Sequence, residues 1–411
     1  MTGSIQRAGA VVVAIDRLGA GFLGPYGNTW LDTPHFNRLA SQSLVCETVL
    51  ADSPELALAY RAWWTGRHAL EPAMDDRPAL PSQSSAAGLR SVLVTDEPLV
   101  AELPDAAGFD ERILVPQEPA TAAAEELEQT GMGRLFLTAI DRLSTGSEPG
   151  LVWIHSRGMA GPWDAPYALR QQLADEDDPP PPDFVDPPRR HLPREADPDE
   201  QLGLVQAYGG QVALADACVG MLLEAFDQLP FQPLLAVTSP RGYPLGEHES
   251  VGGTSGLFSE LLQVPLLVRP PAGQGSPLRL QQLVQPPDLH ATLAAWLGLP
   301  GAAQGSFAQN LLPALAGEGL PPRELAYACG SSGWALRTHA WLLLSAVVDD
   351  EVYRKLFAKP DDRWEANEVA SRCGQIVEQL AAAGASFSQA AAAGKAAELP
   401  PLEAALTDAR R

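Results

Sequence analysis

The sequence predicts an α/β protein in which a mixed, mainly parallel sheet is sandwiched by helices, followed by a small C-terminal antiparallel subdomain. Three observations predict it. Val11-Val12-Val13-Ala14-Ile15-Asp16 is a mostly β-branched run followed by Gly-rich sequence, the pattern of a strand buried on both faces of a parallel sheet. Further apolar runs then alternate with segments of helical periodicity as far as Leu299. From Glu324 onward the runs become short and are separated by turn residues.

The elements follow in order. Thr33-Pro34 offers an N-cap with proline at the first helical position, which starts a helix over 34–44 carrying Phe36, Leu39, Ala40 and Leu44 on one face. A second helix covers 56–64 and stops at Gly66. Strands are expected at 91–96 and 151–155, with a helix over 121–143 between them. Residues 175–198 are acidic and proline-rich, which predicts a long surface loop. A long helix over 200–229 places Val212, Ala215, Val219, Leu222 and Phe226 in one buried stripe. Strands at 234–238 and 264–268 and a helix over 287–297, closed by Gly298, complete the α/β body. Beyond it come strands at 334–338, 341–347 and 351–356, a helix from Glu365 and an Ala-rich helical or frayed end at 381–395. The organisation expected is an α/β domain over 1–323, a strand/helix subdomain over 324–375 and a helical or frayed tail over 376–411.

Composition narrows the function classes. Hydrophobic residues make up 45% and aromatics 7%, values of a chain with a real core rather than a disordered one. Against 28 Lys+Arg stand 51 Asp+Glu, a net charge of −23. That balance argues against nucleic acid or an anionic membrane as the main partner and serves solubility. The four cysteines, Cys46, Cys218, Cys329 and Cys373, form no CxxC pair, so neither a zinc site nor a disulfide framework is suggested. Cys218 falls in an apolar helical pattern and behaves as a small hydrophobe. Residues 1–10 show no signal peptide and no run approaches transmembrane length, so a cytoplasmic location is expected.

Ligands of open α/β sheets bind just past the carboxyl ends of the strands. Asp16 therefore stands where a site would be, unless it merely caps the strand-to-loop turn. Other landmarks are scattered along the chain. They are Leu23-Gly24-Pro25-Tyr26-Gly27, then Thr33-Pro34-His35-Phe36-Asn37-Arg38-Leu39-Ala40, Thr65-Gly66-Arg67, and Trp153-Ile154-His155 leading to Gly161-Pro162-Trp163-Asp164-Ala165-Pro166. Later come 242–248 with Val264-Pro265-Leu266, Asp288-Leu289-His290-Ala291-Thr292-Leu293 with Leu297-Gly298-Leu299-Pro300, and Ala335-Leu336-Arg337-Thr338 with Val352-Tyr353, Pro360, Glu365 and Asn367. Taken in this order, over nearly the whole chain, they resemble the sulfatase family of the alkaline-phosphatase superfamily.

The resemblance implies an oxygen-ligated divalent cation, usually Ca²⁺, and a formylglycine nucleophile made from Cys or Ser at a helix N-terminus. Arg, His and Lys residues would neutralise the sulfate as charge develops. The family draws its metal ligands from an Asp-Asp pair after the first strand and an Asp-His or Asp-Asn pair after a later one. Here the first pair is Asp16-Arg17 and the second falls on Pro240-Arg241, so Asp16 is the one ligand position retained. Counting back from Thr65-Gly66-Arg67 places Leu56 at the nucleophile, Leu58 at the motif proline and Tyr60 at the motif arginine. Leucine cannot become formylglycine. Asp52-Ser53-Pro54 imitates the motif one helical turn early, which leaves Ser53 as a displaced nucleophile or a helix N-cap, and Arg61 lies one residue off register. The family's substrate-side histidine falls on Ala160 and its lysine on Thr254, while His155 and His248 remain nearby as structural or catalytic groups.

The expectation is a catalytically inactive sulfatase-like pseudoenzyme, with neither Ca²⁺ nor formylglycine, that acts as a scaffold or regulatory partner of an unknown protein. The 175–198 loop and the tail would then serve as contact surfaces. A second reading is a metal-free module for a small oxyanion, in which Arg17, Arg241 and Arg67 converge on the old site; planar guanidinium forks suit sulfate, phosphate or carboxylate. Its competitor is an Asp16–arginine salt bridge that plugs the vacated space. A third is residual hydrolysis of sulfuric or phosphoric esters through Ser53 with His248 or His68.

Overall fold

The computed structural model describes residues 9–72, 78–145, 150–230, 232–272, 274–275, 277–300, 307–331, 333–394 and 399–408. Most of the segment read for a leader (1–8), Lys395 and the last three residues lie outside the described residues. The central sheet is built from β1 (Ala10–Ile15), β2 (Leu44–Leu50), β3 (Arg90–Thr95), β4 (Glu111–Leu114), β5 (Gly150–Ser156), β6 (Leu234–Thr238), β7 (Leu266–Arg269) and β8 (Leu278–Val284). Their spatial order is β8-β2-β7-β6-β1-β5-β3-β4, with the two-residue strand Gln263–Val264 added against β2. All neighbours along this path are parallel except β7, which runs antiparallel to both β6 and β2.

β1 lies in the interior of the sheet, hydrogen-bonded to β5 on one side and β6 on the other, and every one of its residues is buried. Successive side chains of a strand point to opposite faces, and the two cores divide accordingly. Ala10, Val12 and Ala14 join Tyr60, Trp63 and Trp64 of α2 (Leu56–Thr65, after α1, Pro34–Ala40). Val11, Val13 and Ile15 join Phe36 and Leu39 of α1, Leu135 and Phe136 of α3 (Gly131–Thr145), and Val212, Val219 and Phe226 of α4 (Pro198–Gln228). Burial of each Val or Ile side chain contributes about 1.5–3 kcal/mol. α5 (Pro286–Trp296) packs beside α2 through Leu289 and Leu293. By length and composition α4 could cross a membrane, contrary to the expectation that no run is long enough, but 72% of its most apolar window is buried inside the protein.

The C-terminal sheet is an antiparallel meander of β9 (Ala326–Gly330), β10 (Gly333–Arg337), β11 (Trp341–Val348) and β12 (Glu351–Ala358). α6 (Gly374–Ala392) lays Val377, Leu380 and Phe387 against Leu336, Leu343 and Leu356. The Ala-rich stretch from 381 is thus helical to Ala392 and shares a core with the sheet.

Several expected boundaries move. The first helix ends at Ala40, not Leu44; Leu44 fits the helical stripe by spacing, but it opens β2 and pairs with Val268. The helix expected from Thr121 starts at Gly131, where Asp164 accepts the Gly131 N–H (2.7 Å) and Thr130 Oγ1 that of Gly133 (2.9 Å). The strand expected over 264–268 is split at Pro265, which has no N–H to give a ladder; Gln263–Val264 pairs with β2 and Leu266–Arg269 with β6 and β2. The helix expected from Glu365 starts at Gly374, because Glu365 adopts φ +52° and turns its carboxylate to Lys359 and Ser259. Strands β2, β4, β8 and β9 are not expected from the sequence; β4 and β8 sit at the sheet's edges, where partly exposed positions dilute the apolar pattern, whereas β2 is an interior strand whose first residue also fits the preceding helical stripe.

The 175–198 loop is fastened down. Trp163 N–H donates to Val185 O (2.7 Å), Arg170 Nη1 to Phe184 O (2.9 Å), and Arg190–His191 pairs antiparallel with Ser250–Val251. A second fastening joins α5 to the chain beyond it. The buried Asp288 carboxylate accepts N–H groups from Gln285 (2.9 Å) and Gln309 (2.7 Å) and is clasped by Arg323 through both guanidinium nitrogens. Breaking a buried ion pair from one side leaves an uncompensated charge, at about 3–5 kcal/mol. Asp288→Ala is therefore expected to lose that much stability in urea titration, and a loss below about 1 kcal/mol would show that the clasp is dispensable.

Candidate functional site

The carboxyl ends of β1, β5 and β6 meet at one edge of the sheet, and the residue that follows β1 is Asp16. Its backbone is pinned on both sides: its N–H donates to Ser156 O (2.9 Å) and its carbonyl accepts from Met159 N–H (3.0 Å). Asp16 is 2% exposed. Both carboxylate oxygens are taken by Arg241, from Nε to Oδ1 at 3.0 Å and from Nη2 to Oδ2 at 2.8 Å. This is the fork-to-fork geometry that makes arginine–carboxylate pairs strong. The remaining Nη1 of Arg241 donates to Pro54 O (3.0 Å), ahead of α2. Burial alone would push the Asp16 carboxyl up, but the charge and hydrogen bonds of Arg241 outweigh it and hold the group below the usual carboxylate range. Arg241 is raised in turn by the same carboxylate against its own burial.

Arg17 leaves the strand in the left-handed region at φ +63°, uncommon for a residue with a Cβ. Tyr208 of α4 holds it there, its hydroxyl donating to Arg17 O (2.7 Å) while accepting the Gly19 N–H (2.9 Å). Ser239 supports the same turn, accepting from Leu18 N–H (3.2 Å) and donating to Arg241 O (2.6 Å). The guanidinium of Arg17 consequently turns away from Asp16. It donates from Nη1 to Gly252 O (3.1 Å) and lies 5.3 Å from the Tyr243 ring centroid. Burial, then Arg241, lowers its pKa to about 10.

The other sequence-predicted positions separate. Leu56, the first residue of α2, is buried in the apolar core, and Pro240 is buried. Ala160 ends a short 3₁₀ turn, Gly158–Ala160, and Thr254 is exposed. Arg67 does not join Arg17 and Arg241, contrary to the expected convergence. It follows the C-cap of α2, a ten-residue helix whose other end faces the site, about 15 Å away at 1.5 Å per residue. Arg61 also points to that far end, donating to the carbonyls of His68 (3.1 Å) and Ala69 (2.6 Å). Ser53 is not the cap residue of α2. Its Oγ accepts the Glu55 N–H (3.2 Å) in a local turn, and no hydrogen bond links it to His68 or His248 among the described residues.

Each histidine has its own surroundings. The Tyr60 hydroxyl accepts from Trp153 Nε1 (3.3 Å) and contacts His155 Nδ1 at 2.6 Å, so Tyr60 ties α2 to β5. His68 bonds Tyr327 O through Nε2 (2.9 Å) and accepts Leu70 N–H at Nδ1 (3.2 Å). Burial lowers both His155 and His68 to about 4. His248 stacks on Phe258 at 3.6 Å and contacts Glu260 at 2.7 Å; burial works against its charge, but Glu260 raises its pKa overall. The groups that sequence reasoning missed are Tyr208, Ser239 and Tyr243, which shape the turn after β1. No local pattern marks them, since Tyr208 belongs to an ordinary buried helical face.

A match to the family model described as Sulfatase runs over residues 10–299. No curated protein matches the sequence. Among solved structures, the phosphonate monoester hydrolase of Agrobacterium radiobacter superposes with a TM-score of 0.72 at 16% identity, covering 93% of this chain and 95% of that one. A 2-O GAG sulfatase, BT1596, gives 0.73 at 15%, covering 98% and 96%. The phosphonate monoester hydrolase of Silicibacter pomeroyi gives 0.69 at 16%, covering 93% and 94%.

Away from the Asp16–Arg241 pair, Asp52 accepts the Ala69 N–H through Oδ2 (2.9 Å), and its buried Oδ1 has no partner among the described residues. Burial raises this carboxyl to about 7. Between pH 4 and 7 the folded chain keeps a proton there that the unfolded chain has released, so this group destabilises the fold as pH rises through that window. His68 and His155 act in the opposite sense, their contribution rising with pH between about 4 and 6.5. Asp52→Asn, which imitates the protonated group, is expected to melt increasingly above wild type from pH 4.5 to 7.5. A pH-independent difference in melting temperature would refute the assignment.

Proposed function

We propose that this chain, which belongs to the sulfatase family, keeps the fold without the family's hydrolytic chemistry and acts as a noncatalytic binding partner. One observation supports the reading: Arg241 takes both oxygens of Asp16, the one carboxylate at the positions where the resemblance implies metal ligands. The donor set does not fit Ca²⁺, which takes six to eight oxygens. The single carboxylate at the ligand positions already gives both oxygens to a guanidinium, Pro240 offers no side-chain donor, and Arg17 adds a second positive charge nearby. The nucleophile position fits no better. Leu56 cannot be oxidised to formylglycine, and it packs into the core.

The pair is a replacement for the cation rather than a ruin. A buried carboxylate at the end of the central strand requires a positive partner, and Arg241 supplies one permanently. The surface also supports a binding role. Val347, Val348, Val352 and Tyr353 are all more than half exposed at the tip of the β11–β12 hairpin, alongside a net charge of −23 over the chain.

The purified protein is expected to carry no stoichiometric divalent metal by mass spectrometry and to show no calcium-dependent melting shift, since a ligand specific to the folded state must raise stability. Turnover of aryl sulfates and phosphonate monoesters should not exceed background. A stoichiometric metal with a calcium-dependent shift would overturn the proposal. Arg241→Ala is expected to destabilise by about 3–5 kcal/mol by stranding Asp16. That loss should shrink as pH falls, because the pair's contribution is present above the unfolded pKa and disappears as Asp16 protonates below its lowered folded one.

A further inference from the structure

Arg17 is the cation that the Asp16–Arg241 pair leaves over. It is 1% exposed, makes no ion pair among the described residues, and its Nε has no hydrogen-bond partner. Buried guanidiniums are almost always paired. It lines a cleft of about 480 Å³, within the range of small-molecule sites, together with Arg189, Arg190, His191, His248 and Thr254.

Several charges at this cleft are already committed. Arg190 is paired with Glu200 (2.5 Å), His248 with Glu260 (2.7 Å), and Glu249, the carboxylate on the rim, with Arg194 (3.2 Å). Arg189 has no ion pair among the described residues and is exposed. Its charge, with that of Arg241, is near enough to act on Arg17. In a chain with an excess of acidic residues, two guanidiniums outside any ion pair among the described residues at one cleft are a local reversal of sign. One comes from the strained turn after β1 and the other from the proline-rich loop, which the short pairing of Arg190–His191 with Ser250–Val251 brings to the cleft wall.

We propose that this cleft is a metal-free binding site for a compact oxyanion, phosphate or sulfate, held between Arg17 at its base and Arg189 at its mouth. The anion is either free or the terminal group of a larger ester, since both present the same oxygens to planar guanidinium forks. The site differs from the three-arginine convergence expected from the sequence. Arg241 is committed to Asp16 and Arg67 is remote, whereas Arg189 was not a candidate. The inference rests on the noncatalytic reading only in taking Arg241 as engaged by Asp16.

The test is calorimetric titration of the full chain with inorganic phosphate, inorganic sulfate and a phosphate monoester such as glucose 6-phosphate. EDTA is kept present so that no metal can mediate binding. Wild type is expected to bind at least one of these with submillimolar affinity, weakening with added salt. Arg189→Ala, an exposed position, and Arg17→Asn, which tolerates the left-handed backbone, should each weaken it at least tenfold, the scale of a charge-assisted hydrogen bond. Tighter binding of the ester identifies the larger ligand; equal or weaker ester binding identifies the free anion. No binding to wild type at 10 mM anion (about 2.7 kcal/mol of affinity), or binding unchanged in Arg189→Ala, overturns the proposal. The calcium response of the same sample tests the noncatalytic reading separately, so either can fail alone.

Discussion

A carboxylate placed at the end of a strand that is buried on both faces must be neutralised, and the site is arranged around that requirement. Asp16 is almost wholly buried, because β1 is flanked by β5 and β6 and covered by helices on both sides. An unpaired charge in such a place would cost several kcal/mol. Arg241 meets it from beyond β6, and its third nitrogen holds the chain before α2 through Pro54 O. One guanidinium thus joins β1, the loop after β6 and the approach to α2. The side chain supplies the charge at this junction and adds directionality, since its hydrogen bonds specify where each element sits.

The same junction explains why the two arginines have different roles. Arg17 is adjacent to Asp16 in sequence, but the turn after β1 takes it through a left-handed backbone conformation, stabilised by the Tyr208 hydroxyl and the surrounding packing. Its side chain is carried to Gly252 and Tyr243 instead. The more distant arginine wins the carboxylate because it can present its fork in the plane of both oxygens. The nearer one is left as a buried cation at the wall of a cleft. Neutralising Asp16 with Arg241 and leaving Arg17 at the cleft wall are consequences of one turn.

Much of the architecture was legible. β1, β3, β5 and β6 are nearly continuous apolar runs, as strands buried on both faces should be, and α4 carries its stripe at helical spacing. The edge strands β4 and β8 were not legible, because one-sided exposure interrupts their pattern. Leu44 satisfies a helix by its spacing, and only its pairing with β7 makes it part of a strand. In the site, Asp16, Arg17 and Arg241 were marked by the sequence as residues of interest. The supporting groups Tyr208, Ser239 and Tyr243 were not, since tyrosines and serines of that kind are common on any buried face.

What this sequence determined by itself is chemical identity. Leucine has no oxygen or sulfur to activate, proline carries no side-chain ligand, and arginine keeps its positive charge at any ordinary pH, wherever the chain puts them. Those facts are local to a side chain and need no fold. Which arginine meets Asp16 is a different matter. Arg241 lies 225 residues from its partner, and a guanidinium on a long, flexible stem can point toward several neighbours. Only the sheet order, the left-handed turn at Arg17 and the docking of the proline-rich loop decided that Arg241 pairs with Asp16 while Arg17 and Arg189 line a cleft. Direction and distance are properties of packing, and packing is set by the whole chain.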